Sequence, residues 1–581
     1  MLIAAALVGC APVRSTRIAG FIDVPSQPQQ QLVLRVAPEI RAWINASIDH
    51  APSRPTDFIF YALPNGNSIE QTLGCAPREG LDWHYSIQHI GAQVRRLRLM
   101  LPDRNIVLIL VEADQRSWPA WRAAHTDNAR RIRDLVGDLP RLVPHDPAHR
   151  TITLAAHSGG GSFITGFINA ADAIPPEVTR IVHLDSNYSY SDDEHHGEKL
   201  IAWLRASQAN HLVVLAYDDR EIQLDGKKVV GPTGGTWRAT QRMITHFKTA
   251  TDVNGPAPFD SAFDRWSAFQ DRAQFIVHRN PENKILHTWL VGDYAGFLLG
   301  VAGVRPDDIP TQSEPSRAYA SAILPLPGSV PTKTPATSPA QPTGREFMTS
   351  IASLPFAQQQ QRIESEILSG NVPPCLTSLV PVLIAGEDRS GRRRSILIHV
   401  TPDYLAIGRD DPVRIPMSPQ TAWRIARALD CTLPTPRMVD AIHAAARLRL
   451  EPKPLTQART EIATFAQHSA MIDGQVAAAR YYDADGVIPR ERPLGSVFIA
   501  GCKKDLVLTP RSQEKPGRVA IYGWHYPDGR PIQPLSLVHV DTYVDYSHGV
   551  RLISQSATLD GRPVRVDDLL ADENLGALLR D

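Results

Sequence analysis

Short apolar runs alternate with segments of helical periodicity through the first 300 residues, and this alternation restricts the fold more than any other feature of the sequence. Mostly apolar runs cover residues 105–113, 151–156, 180–185, 211–217 and 273–278. Apolar residues recur at helical spacing between them. Strands that are apolar on both sides and separated by helices indicate an α/β fold with a mostly parallel, doubly wound sheet.

A serine stands between small residues where one of these strands is predicted to end. Ser158 lies two positions after Ala156 and two positions before Gly160. A sharp strand-to-helix turn needs small residues at both positions, because larger side chains would collide across it. The pattern therefore predicts that Ser158 occupies a strained, exposed turn of the kind that presents a nucleophile.

The order of elements around Ser158 resembles that of the α/β-hydrolase superfamily, over residues 33–304. In that superfamily an acid and then a histidine follow the nucleophile along the chain. The resemblance implies that His287 is the base. It implies Asp218 as the preferred acid, because this residue follows the strand at 211–217, with Asp219 next and Asp185 as a further alternative. Three other histidines compete with His287: His157 and His183 have worse positions in the chain order, and His278 falls within or at the end of its strand.

The same resemblance implies an oxyanion hole and a reaction. Gly159 would supply one backbone N–H, and Gly66 or Asn67, in the loop after the predicted strand at 57–63, would supply another. Ser158 would attack an acyl carbonyl and water would release the acyl group, with no cofactor. We therefore expect a serine hydrolase acting on an ester or amide, small or polymeric. A binding protein that has kept the fold without catalysis is the alternative.

The composition of the chain argues against nucleic acid as a partner and against a bound metal. Lys and Arg number 61, as do Asp and Glu, so the chain has no basic excess for nucleic acid. Its Cys and His residues show no metal-binding spacing, and we expect no metal.

The N-terminus predicts export. Residues 1–10 form an apolar run that ends at Cys10 and resembles a bacterial lipoprotein signal peptide with its lipobox. The resemblance implies lipidation of Cys10, a polar tether over residues 11–32, and an enzyme anchored at a membrane surface in the cell envelope. A periplasmic or secreted protein is the alternative.

A second half follows a segment rich in Pro, Ser and Thr. Residues 305–344 are predicted to be a linker that spaces the halves, and residues 345–581 a smaller α+β domain. Paired strands are predicted at 380–386 and 395–408, and a helix that begins at Ser418 and Pro419. Polar residues concentrate near the end of this domain and include Cys502, His525, His539 and His548. They predict a surface that binds a ligand or partner, and the less favoured alternative is a second activity based on a thiol.

Overall fold

The computed structural model describes residues 17–24, 27–36, 39–75, 88–303, 341–481 and 497–580. The predicted signal segment with Cys10, and residues 304–340 of the predicted linker, lie outside the described residues. Within the described ranges, no helix is both long enough and apolar enough to cross a bilayer.

The N-terminal half follows the predicted alternation of strands and helices. Its strands are β1 (Ile22–Asp23), β2 (Gln29–Val36), β3 (Ile40–Ser47), β4 (Thr56–Ala62), β5 (Asn105–Ala113), β6 (Arg150–His157), β7 (Val178–Leu184), β8 (His211–Tyr217), β9 (Gln223–Leu224), β10 (Lys227–Lys228), β11 (Val253–Pro258), β12 (Phe263–Ala268) and β13 (Ala273–His278). Its helices are α1 (Ile69–Leu73), α2 (Ile90–Met100), α3 (Trp118–Ala124), α4 (Asn128–Asp138), α5 (Gly161–Asn169), α6 (His196–Ala206), α7 (Thr236–Ala250) and α8 (Gly296–Ala302).

The C-terminal half combines short strands with helices. Its strands are β14 (Val380–Glu387), β15 (Arg393–Val400), β16 (Ala406–Ile407), β17 (Val413–Arg414), β18 (Cys431–Thr432), β19 (Leu448–Arg449), β20 (Ile499–Ala500), β21 (Lys504–Leu506), β22 (Ile521–His525), β23 (Pro531–Ser536), β24 (His548–Gly549), β25 (Ile553–Ser554), β26 (Ser556–Leu559) and β27 (Arg562–Arg565). Its helices are α9 (Gly344–Ile351), α10 (Phe356–Leu368), α11 (Pro419–Ala428), α12 (Pro436–Ala445), α13 (Ile462–Tyr481) and α14 (Val566–Ala571).

The central sheet is a mixed sheet with a parallel middle. Six neighbouring strands run parallel in the order β5, β4, β6, β7, β8 and β13. Antiparallel strands flank them, with β3 and β2 beside β5, and β12 and β11 beside β13. Because the middle strands are parallel, β6, β7, β8 and β13 all end at one edge of the sheet. The candidate catalytic residues are found at this edge.

Helices cover both faces of this sheet. Phe58 and Phe60 of β4 pack in a buried cluster with residues of α4 and α5. Ile59 and Tyr61, which alternate with them, pack in a second cluster with residues of α2 and α8. Burial on both faces explains why strands such as β5 are apolar along their length and buried at every position.

The two halves share one sheet, although the sequence predicted separate domains spaced by a linker. β14 meets β2 at a parallel bridge between Val382 and Arg35, and β15, β26 and β27 extend the sheet outward. Leu397 of β15 belongs to the same buried cluster as the N-terminal strands. The Arg393 guanidinium donates to both carboxylate oxygens of Asp138 at 2.7 Å. The C-terminal half therefore packs against the edge of the N-terminal sheet, because apolar side chains and an ion pair join the two.

β2 begins inside the segment 11–32 that was predicted to be a polar tether. Its three successive glutamines are buried. The Ile18 N–H donates to Gln30 Oε1 at 2.7 Å, and Trp43 Nε1 donates to Gln31 Oε1 at 2.7 Å. Because their amides are hydrogen bonded, these glutamines can be buried in a strand, which their polarity did not suggest.

Candidate active site

Ser158 lies at a tight turn between β6 and α5. Its φ is +53°, in the left-handed region that side chains other than glycine rarely adopt. A Cβ at Gly160 would lie 2.2 Å from the Ala62 carbonyl oxygen, and one at Gly161 would lie 1.6 Å from the Ser186 carbonyl oxygen. The glycines after Ser158 therefore allow the turn to pack against β4 and the end of β7. The strained serine is held by this packing, as the sequence pattern predicts.

His287 lies beside this turn, in the segment between β13 and α8. Its ring is 4.4 Å from the ring of His157, centroid to centroid, and its carbonyl oxygen lies 3.1 Å from His157 Nε2. Its side chain is 27% exposed, so solvent and substrate can reach the ring. Within the described residues its ring is hydrogen bonded to Asp185 and not to Ser158. Catalytic hydrogen bonds to a nucleophile often form only when substrate binds.

Asp185 is the carboxylate that the structure places on His287. It follows β7 directly, is fully buried, and accepts a short hydrogen bond from His287 Nδ1. Thr236 Oγ1, at the start of α7, donates a short hydrogen bond to the other carboxylate oxygen. The backbone N–H of Asp185 donates to the Leu215 carbonyl of β8 at 2.7 Å. Two hydrogen bonds thus fix the carboxylate, one on each oxygen, and a third fixes the backbone of Asp185.

Asp218, the acid preferred from the sequence, is paired elsewhere. Its carboxylate accepts from Arg220 Nε at 2.9 Å and from Arg220 Nη2 at 2.7 Å. Burial alone would raise the pKa of Asp218, but the hydrogen bonds and charge of Arg220 bring it below its ordinary value. The preference for Asp218 is therefore corrected to Asp185, because an adjacent arginine holds the Asp218 side chain.

Asp219 lies behind Asp185 and does not contact His287. Its Oδ2 accepts from the Thr236 N–H at 2.7 Å and lies 3.3 Å from Thr236 Oγ1. Burial and the negative charge of Asp185 raise the pKa of Asp219 to about 6. Asp219 therefore holds the first turn of α7, which presents Thr236 to Asp185. Thr236 was missed in the sequence, where a threonine at a helix start gives no catalytic signal.

The predicted oxyanion loop lies close to Gly159, and one of its two expected donors is already hydrogen bonded. The Gly66 N–H donates to the Arg116 carbonyl at 2.9 Å, and the Asn67 N–H lies 3.5 Å from the Pro64 carbonyl within the turn. The Gly66 N–H is therefore already used. The side-chain amide of Asn65 covers Gly159 instead, since a Cβ on Gly159 would lie 2.1 Å from Asn65 Oδ1.

The other candidate histidines are buried or make contacts typical of structural residues. Burial holds the pKa of His157 well below its ordinary value, and burial lowers the pKa of His183 to about 4. His183 Nδ1 lies 3.1 Å from Ser186 Oγ. His278 packs edge-on against Phe263 and accepts from a backbone N–H two residues on. His287 is the histidine among these that the structure pairs with a carboxylate.

The residues that the sequence offered for a thiol site in the C-terminal half have surroundings that disfavour one. Cys502 is buried, and burial raises the pKa of its thiol to about 12, which disfavours the reactive thiolate. His525 Nε2 pairs with Asp440 at 3.0 Å, and His539 stacks on Tyr543. His548 is buried, and burial lowers its pKa to about 4. In the described ranges, no group of three or more His, Cys, Asp or Glu side chains is arranged to hold a metal ion.

Comparisons with known proteins give distant matches to the N-terminal half. No protein-family model and no curated protein matches this sequence. Solved structures that are similar include the siderophore hydrolase EstB from Aspergillus nidulans, at 10% identity and a TM-score of 0.24, over 49% of this chain and 98% of that one. A feruloyl esterase module from Clostridium thermocellum, complexed with sinapinate, matches at 10% identity and a TM-score of 0.27, over 50% and 94%. Esterase 2 from Thermogutta terrifontis matches at 12% identity and a TM-score of 0.25, over 48% and 96%.

These neighbours are esterases and hydrolases, but their similarity is too low to assign an activity.

Proposed function

We propose that the protein is a serine hydrolase that cleaves esters through an acyl-enzyme. The observation that carries this proposal is the arrangement at the sheet edge: a serine at a strained turn, with a histidine beside it whose Nδ1 is paired with a buried carboxylate. A serine needs a neutral imidazole to take its proton, and that imidazole needs a carboxylate to fix its tautomer. Ser158, His287 and Asp185 fill these three roles.

In the first half of the reaction, Ser158 Oγ attacks the substrate carbonyl carbon and its proton passes to His287 Nε2. Asp185 accepts the Nδ1–H and stabilises the imidazolium that forms. The negative oxygen of the tetrahedral intermediate receives the Gly159 N–H and, we propose, the side-chain amide of Asn65. His287 then protonates the leaving alcohol as the carbon–oxygen bond breaks.

In the second half, water attacks the acyl-enzyme and gives its proton to His287. The intermediate collapses, Ser158 regains the proton, and a carboxylic acid leaves. Thr236 acts as a positioning residue, because its hydroxyl fixes the oxygen of Asp185 that does not face His287.

Covalent labelling with a fluorophosphonate probe tests the proposal. Wild-type protein should label and Ser158→Ala should not. Ser189→Ala, which changes a nearby serine outside the proposed triad, should label like wild type. Rates on a series of p-nitrophenyl esters from acetyl to dodecanoyl, against matched p-nitroanilides, would then define the acyl group and separate esters from amides. Absent labelling of wild type, or equal labelling of Ser158→Ala, would contradict the proposal.

We also propose that the enzyme is exported and anchored by lipid at Cys10. The sequence of residues 1–10 supports this, through its apolar run and lipobox-like end. Metabolic labelling with an alkyne fatty acid in a bacterial host should mark the wild type and not Cys10→Ser. Equal labelling of the two would exclude lipidation at this cysteine.

A further inference from the structure

A cavity of about 730 Å³ lies where the two halves meet, and the reaction proposed above does not use it. We call it the junction cavity. Its walls come from β14, α12 and the segment around Tyr522, with Arg35 of β2 from the N-terminal half. β3, β5 and β4 separate β2 from β6, so at about 4.8 Å per strand the cavity lies about 19 Å from Ser158 across the sheet. It is therefore a separate site.

The cavity concentrates positive charge in a chain that has equal numbers of acidic and basic residues. Four arginines line it, against one aspartate; they are Arg35, Arg437, Arg511 and Arg580. The aspartate, Asp440, is already occupied, since its Oδ1 accepts from Tyr522 OH at 2.8 Å and from His525 Nε2 at 3.0 Å. Its carboxylate keeps its negative charge, so it offsets one of the four guanidinium groups and leaves the lining with an excess of positive charge.

Two of these arginines are available to a ligand. Arg35 donates to both oxygens of Asp114, at 2.7 and 2.6 Å, and Arg580 donates to the Leu570 carbonyl. Arg437 makes one long contact, 3.5 Å, to the Ala577 carbonyl. Arg511 is exposed, and its side chain has no hydrogen-bond or ion-pair partner in the part of the chain that the structure describes.

The rest of the lining is apolar. Leu383 and Ala385 of β14, alanines of α12 including Ala441 and Ala444, and Leu535 supply aliphatic surface. A volume of this size suits a small organic molecule. The aliphatic wall lies beside the guanidinium groups of Arg437 and Arg511, which are available for hydrogen bonding. This combination matches a ligand with an apolar chain and an anionic head group.

The head group that fits is a carboxylate. A planar guanidinium donates two parallel hydrogen bonds to a carboxylate or to a phosphate, so the rest of the lining must separate the two. Phosphate sites usually add backbone N–H groups from a glycine-rich loop or helix start. The described residues that line the cavity include no glycine, and α12 begins there with Pro436, which has no N–H. We propose that the junction cavity binds an aliphatic carboxylate through Arg437 and Arg511.

Calorimetric titration of the full chain with octanoate at pH 7.5 tests this. Wild type should bind octanoate at least about tenfold more tightly than octan-1-ol, acetate or octyl phosphate. Arg437→Ala/Arg511→Ala should lose at least about tenfold in affinity. Arg389→Ala/Arg562→Ala removes the same charge from exposed arginines outside the cavity and should bind like wild type.

Three results would overturn the proposal: no octanoate binding by wild type, equal affinity for octan-1-ol, or equal loss in the two double variants. Tighter binding of octyl phosphate would refute the carboxylate assignment. If Arg437→Ala/Arg511→Ala has a lower melting temperature than wild type, the titration is repeated with the single variant Arg511→Gln. Among the described residues, the exposed Arg511 side chain makes no hydrogen bond or ion pair that this change would remove. Ser158→Ala should bind octanoate normally, so the result is independent of whether the protein proves to be a hydrolase.

Discussion

Replacing Asp185 by asparagine should abolish most of the proposed hydrolase activity, while the same change at Asp218 should leave it nearly intact. An asparagine at 185 can present an N–H to the imidazole and so favour the wrong tautomer of His287. The equivalent change in a serine protease lowers kcat by about 10,000-fold. At about 1.4 kcal/mol for each factor of ten, this is about 5.6 kcal/mol of the activation barrier.

Asp218 provides the matched control, because it also follows a strand at the same edge. Its carboxylate pairs with Arg220, whose side chain is 40% exposed, and ion pairs of this kind contribute about 1 kcal/mol or less. Asp218→Asn should therefore change kcat by no more than about fivefold.

Initial rates on a p-nitrophenyl ester, with active sites counted by fluorophosphonate labelling, give kcat for each variant. Circular dichroism melting curves would show that Asp185→Asn is folded. The reasoning fails if Asp185→Asn keeps more than about a tenth of wild-type kcat, or if Asp218→Asn loses as much as Asp185→Asn.

Three further changes test the surroundings of the site. Gly161→Ala would place a Cβ 1.6 Å from a carbonyl oxygen and should lower the free energy of unfolding by about 1–3 kcal/mol. Gly137→Ala, inside α4 with open space around it, should raise it by about 0.5–1 kcal/mol; denaturant titrations that rank the two oppositely would refute the packing argument. Thr236→Val should lower kcat more than KM changes, and Thr236→Ser should restore it; a failed rescue would leave Thr236 without a positioning role. The pKa of Asp219 is raised in the native state from 3.8 to about 6, so the native state binds a proton more tightly than the unfolded chain and loses stability as pH rises from about 4 to 6. Asp219→Asn keeps an acceptor for the Thr236 N–H, and its free energy of unfolding should fall less than that of wild type over that interval. Parallel plots of unfolding free energy against pH for the two proteins would contradict the raised pKa.

Much of the sheet could be predicted because its middle strands are buried on both faces. The runs at 105–113, 211–217 and 273–278 coincide with β5, β8 and β13. The helix predicted at Ser418 begins as expected, since Ser418 Oγ accepts from the N–H of Thr421. These features depend on residues close together in the chain.

The choice of acid could not be made in this way. Asp185 and Asp218 both follow strands that end at the same edge, so chain order admits either. The contacts that distinguish the two aspartates cannot be read from chain order. Thr236, which binds Asp185, lies 51 residues after it, and the Arg220 side chain turns back to bind Asp218. The joining of the halves was missed for a similar reason, because Leu397 contacts strands far away in sequence.

The position of β2 has a consequence for what happens when the halves are separated. β1 pairs with the first part of β2, and the bridge to β14 lies at its other end. A chain cut after residue 303 would leave that end of the strand with unpaired backbone N–H and C=O groups beside the apolar surface that Leu397 covers. Open strand edges of this kind recruit strands from other molecules. The C-terminal half would thus protect the N-terminal half from aggregation. The isolated N-terminal half should need low concentration or a solubilising fusion to remain in solution.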